Sequence, residues 1–155
     1  MCQRTRTVMN NSKNRVLVEY FQGAYGPTLI VLLDSPQDGM QFKSIFSELA
    51  KGNVREAKFS QTDFLRLENV KDVTLQVITL AKEKKSLTRI RDADEITFNW
   101  SQTQDGWIRS VGLLDGLITA DTPGHQYLTS EAVDDALVEI SFMEDLRPMS
   151  GDTSE

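Results

Sequence analysis

The chain has 155 residues, 39% of them apolar and 26% charged, which fits one globular domain burying about two-thirds of its unfolded surface. Its single cysteine, Cys2, excludes an internal disulfide and a cysteine-rich metal site, and no signal-type core or apolar run of about 18 residues suggests export or a membrane span, so a cytoplasmic setting is expected. The net charge of −6 is uneven: residues 1–102 carry 15 Lys and Arg against 12 Asp and Glu, net +3, whereas residues 103–155 carry 2 against 11, net −9, which disfavours nucleic-acid phosphates as partners of that region and favours a basic partner, a cation or simple solubility.

Residues 1–14, MCQRTRTVMNNSKN, are polar, basic and aperiodic, and read as a disordered arm before a single domain over 15–144. Val16, Val18 and Tyr20 alternate with Leu17, Glu19 and Phe21, predicting a first strand, and GAYGP at Gly23 to Pro27 supplies a turn. Two glycines do not make a dinucleotide fingerprint, which needs a third glycine and a helix directly after it. Leu29 to Leu33 is unbroken aliphatic sequence, suited to a central strand buried on both faces. Ser35 as N-cap, Pro36 at the first helical position and Asp38 in the opening turn then start a helix over about 36–51. Phe42, Ile45, Phe46 and Leu49 form its apolar seam, Lys43, Ser44, Ser47, Glu48 and Lys51 lie outside, and Gly52 closes it.

Val54 to Ser60 predicts a strand, and Asp63 to Asn69 a connector or extra strand. Val73 to Val77 and Leu87 to Arg91 read as a hairpin, with Ile96 to Trp100 as the third strand of a meander. Lys82, Lys84, Lys85, Arg89 and Arg91 cluster there without an aromatic ladder, the pattern of edge protection and not of a nucleic-acid footprint.

A second helix is expected over about 104–119, where Trp107, Val111, Leu114 and Ile118 share one seam. Ile108, Leu113 and Leu117 widen that seam, which predicts cover on more than one side, with Gly112 and Gly116 against another backbone. Asp115 falls at the edge of the buried face, where it reaches solvent, pairs with a donor or handles a proton. Asp121 to Gly124 breaks the chain, HQYL reads as a short strand, TSEAVDDA as a turn or brief helix, and 136–142 as the last strand, with Glu139 and Ser141 outward. A disordered tail is expected over 145–155. The fold class is therefore α+β: one domain, a mostly antiparallel sheet of about six to eight strands and two main helices.

His125, the only histidine, is the natural acid or base, but no nucleophile elbow, zinc-helix motif or usable cysteine accompanies it. Neither metal nor cofactor is implied, and Asp134 and Asp135, adjacent in sequence, make a poor preformed pair. Trp107, His125 and Tyr127 with Asp121, Glu131, Asp134, Asp135 and Glu139 instead combine aromatic centre and charged rim, the composition of a protein interface. The leading expectation is a non-enzymatic cytoplasmic interaction module using an acidic C-terminal surface against a basic partner. In size and acidity it is similar in general character to bacterial immunity or inhibitor proteins that neutralise basic toxins, an analogy without a shared motif. The alternatives are an enzyme using His125 with Asp115 or Asp121 on a small substrate, and a structural or self-associating domain joined through the glycine face of the second helix.

Overall fold

A computed structural model describes residues 15–79, 85–91, 94–129 and 133–145. The first alternating stretch forms β1 (Val16–Gly23), which turns back antiparallel into the aliphatic β2 (Gly26–Leu33). At the turn Gly26 has φ +109°, a conformation that glycine adopts without a side-chain clash. The predicted helix start is realised in α1 (Pro36–Ala50): the Ser35 hydroxyl accepts the Asp38 N–H at 3.1 Å, and Pro36 occupies the first turn. Gly52, at φ +80°, ends the helix.

There follow β3 (Glu56–Lys58), a 3-10 turn (Phe59–Gln61), β4 (Leu65–Glu68), β5 (Asp72–Ile78), β6 (Leu87–Arg89) and β7 (Thr97–Thr103). Helix α2 (Gln104–Thr119), capped by the Thr103 hydroxyl, leads to β8 (Gly124–Tyr127) and β9 (Leu137–Phe142). The protein is α+β, with two helices and nine short strands among the described residues. Four of the seven strand pairings are antiparallel and three parallel.

The strands divide into two sheets, ordered β4-β1-β2-β9-β8 and β3-β5-β7-β6. β2 is central in the first, as its uninterrupted apolar run predicts: Leu29, Val31 and Leu33 enter the main core, while Ile30 and Leu32 join Leu17 and Phe21 in a smaller cluster on the outer face. Asp63 to Asn69 does hold an extra strand, β4, paired parallel to β1. The predicted meander is corrected. β7 lies between β5 and β6, parallel to one and antiparallel to the other, so β5 and β6 share no hairpin. Local alternation is the same in either order, and only the tertiary pairing distinguishes them.

One core joins the inner faces of both sheets to the two helices. Phe46, Trp100 and Trp107 form its aromatic centre, with ring centroids 5.2 to 5.4 Å apart, and Trp107 Nε1 donates to the Gln76 carbonyl at 2.9 Å. The predicted seam of α2 is correct, but its cover is one-sided: Ile108 is 52% exposed and Leu113 36%. Gly112 and Gly116 do not meet another backbone among the described residues; apart from their own helix, nothing there lies within 4 Å of the position a Cβ would take. The close helix contact is made instead by Gly39 of α1, where a Cβ would fall 2.7 Å from Ile118 Cγ1. No helix among the described residues is long and apolar enough to cross a membrane. The predicted arm, and the predicted tail beyond Asp145, lie outside the described residues.

Candidate functional site

The strand register gathers His125, Tyr127 and Glu139 on the outer face of the five-stranded sheet. Phe21, Thr28 and Leu137 form one row across β1, β2 and β9; Ile30, Glu139 and Tyr127 form the next across β2, β9 and β8; Leu32, Ser141 and His125 form a third. Opposed residues in a sheet point to the same side, so these rows share one face. The β1–β2 turn adds Ala24 and Tyr25 as a rim, with Tyr25 65% exposed. The result is an open cleft of about 400 Å³, with Thr28, Leu137 and Glu139 along β2 and β9 and with Phe21, Tyr25, Tyr127 and His125 around them.

Glu139 is the unusual group in this cleft. Expected to point outward into solvent, it does face outward from the core but is only 6% exposed, and Ser141 beside it is fully buried. Among the described residues its carboxylate has one hydrogen bond, a long one from the Ser141 hydroxyl at 3.4 Å. No Lys or Arg side chain among the described residues forms an ion pair with it. Burial therefore pushes the Glu139 carboxyl above its ordinary range; His125 and the Ser141 hydroxyl oppose that shift and the Glu144 charge adds to it.

His125 is held by Glu144, which the sequence reading did not single out. After β9, Met143 adopts φ 58° and donates its N–H to the Leu33 carbonyl, turning the chain so that Glu144 Oε2 lies 2.8 Å from His125 Nδ1. The ring also meets Tyr127 edge-on at 5.3 Å. A proton on Nδ1 is donated to Glu144, which leaves Nε2 as the free acceptor of the neutral ring.

The other sequence candidates are elsewhere. Trp107 is fully buried and belongs to the core, not to a partner surface. Asp115 is paired with Lys43 of α1 at 2.8 Å, and Asp121 is exposed at φ 55° where α2 ends, so neither is the carboxylate beside His125. Asp134 Oδ1 accepts from Ser86 N, Ser86 Oγ and Leu87 N, at 2.6, 3.1 and 2.9 Å. Asp135 accepts from Arg89 N at 2.8 Å and is bridged to Lys85 at 2.8 Å. Burial alone would raise the Asp135 carboxyl, but the Lys85 and Arg89 hydrogen bonds and the Lys85 and Arg91 charges outweigh it and hold the group below its ordinary range. Both acids thus occupy the outer edge of β6, where they satisfy backbone donors that no further strand meets. Glu131, Lys82 and Lys84 lie outside the described residues.

Phe21, Tyr25, Thr28 and Glu144 are the site residues missing from the sequence reading. Phe21 carried a signal, since it alternates away from Val16, Val18 and Tyr20 and so must leave the main core. No group of three or more His, Cys, Asp and Glu side chains suited to a metal occurs among the described residues. No family model, no curated protein and no solved structure matches the chain.

Proposed function

We propose that the protein is a non-enzymatic interaction module for a basic partner protein, with its recognition surface on the outer face of the five-stranded sheet around Tyr25, His125, Tyr127 and Glu139. One observation carries the reading: a nearly buried carboxylate, with no Lys or Arg among the described residues paired to it, lines an open cleft with aromatic rings around it. Desolvating an acid costs free energy unless a cation or several donors compensate, and among the described residues the Glu139 carboxylate has one long hydrogen bond. A basic partner would supply the missing charge, and aromatic surroundings suit a desolvated contact. The overall charge of −6 would favour its approach. An inhibitor or immunity-like role against a basic toxin is one form of this function.

Immobilised protein is expected to retain a partner rich in Lys and Arg, with an association rate that falls as salt rises. Glu139→Gln and Tyr25→Ala should both weaken that retention. Capture of the same protein by both variants, with unchanged affinity and salt response, would contradict the assignment of this face.

A second reading rests on the His125–Glu144 pair, whose geometry is that of a base oriented by a carboxylate. It revises the expected acid–base set to His125, Glu144 and Glu139. Thr28 Oγ1, the aliphatic hydroxyl of the lining, donates to the Gly26 carbonyl at 3.0 Å, so the pair would have to activate water or the substrate itself. Loss of a measured turnover in His125→Asn, with basic-partner binding intact, would favour this reading over the first.

A further inference from the structure

We infer that the cleft on the outer face of the five-stranded sheet is a receptor for one arginine side chain of the partner, seated between Tyr25, Phe21 and Tyr127 with its guanidinium on Glu139. This rests on the interaction reading above and specifies the group that is recognised. Three features favour a guanidinium over an ammonium. Glu139 offers a carboxylate already stripped of most water, and a planar fork can bond both its oxygens. Aromatic rings line the opening, and a guanidinium stacks on ring faces while keeping its edge free to donate. The guanidinium is also more weakly hydrated than an ammonium, so leaving water for a partly enclosed cleft costs it less.

Further charged groups on this face come from β8, the segment after β9, β1 and β4. His125 on β8 is tethered to Glu144 after β9, and Glu144 adds a second negative charge to the neighbourhood of Glu139. Glu19 of β1 shares the same face one strand beyond Ile30, whose partners are Glu19 on one side and Glu139 on the other. The arginine head would therefore meet carboxylates on both flanks, with Arg66 of β4, opposite Leu17 on the same face and bridged to Glu68, and a protonated His125 as the cations there.

The test is a chemical-shift titration of the full chain with an arginine-bearing hexapeptide and with the same peptide carrying lysine. Shifts should centre on residues of β8, β9 and the β1–β2 turn, with the arginine peptide binding about tenfold or more tightly than the lysine peptide. Glu139→Gln should remove that preference, and Tyr25→Ala, at an exposed position that does not endanger folding, should weaken the arginine peptide several-fold. Equal affinity for the two peptides, or an arginine preference that survives Glu139→Gln, overturns the arginine proposal while leaving the basic-partner reading in place. Failure of every basic peptide and of the captured partner to bind this face removes both. Deletion of residues 1–14 or 146–155 that by itself produces the same shifts at Glu139 and His125 would assign the cleft to the chain's own arginines and overturn the partner proposal.

Discussion

Glu139 and Asp135 have opposite electrostatic positions, and each predicts its own dependence on pH. Because burial raises the folded-state pKa of Glu139, the native state holds its proton at pH values where the unfolded chain has released it, so this group costs stability as pH rises through that window. Glu139→Gln should therefore raise the melting temperature at neutral pH, with the gain shrinking as pH falls from the raised value towards the ordinary carboxylate range and absent below that range. A variant no more stable than the native chain at neutral pH would contradict the desolvation argument. Asp135 has the reverse sign: its folded pKa is depressed, so its contribution is present above the ordinary aspartate range and is lost as pH falls through the depressed value. Asp135→Asn should cost about 1–3 kcal/mol at neutral pH and flatten the acid limb of the stability profile, as read by urea titration. The two carboxylates are separated by only three residues in sequence, which shows why a charge count cannot assign either role.

At the scale of elements, α2 decides between solvent and a second copy of the chain. Its exposed face carries Ile108, Gly112, Leu113 and Gly116, and the two glycines have open space beyond them. Gly112→Ala and Gly116→Ala should each stabilise the helix by about 0.5–1 kcal/mol, because alanine loses less backbone entropy there. Gly39→Ala should destabilise by about 1–3 kcal/mol, since the added methyl would overlap Ile118. Thermal melts of the three variants separate these outcomes. Sedimentation of the native chain adds the control: self-association through this face would turn the two α2 substitutions from stabilising to disruptive. The edge of β6 offers a parallel case, where Asp134 satisfies the Ser86 and Leu87 amides in place of a strand. Asp134→Ala should leave those donors unmet, at a cost of about 1–3 kcal/mol.

Across the whole molecule, two tryptophans tie the helices to the four-stranded sheet in chemically different ways. Trp107 donates to the Gln76 carbonyl, whereas Trp100 Nε1 is buried without an acceptor among the described residues. Replacing each by phenylalanine removes similar volume, but only Trp107→Phe also removes a hydrogen bond, and Trp100→Phe deletes an orphan donor. Trp107→Phe should therefore be the more destabilising in chemical denaturation. Equal losses would mean that packing alone sets the value of both rings.

Much of this architecture was present in local sequence. Ser35 and Pro36 start α1 because the cap and the proline ring act within a single turn, and Leu29 to Leu33 marks a central strand because burial on both faces requires unbroken apolar residues. The Trp107, Leu114 and Ile118 seam was legible for the same reason, as helical period is a property of neighbouring residues. Strand order, the open face of α2 and the meeting of Tyr25 with His125, some hundred residues apart, depended on long-range pairing. Alternation tells each strand which side chains share a face but not which strand lies beside it. Only the tertiary register could bring Glu139 under an aromatic rim and send Asp134 and Asp135 to the edge of another sheet.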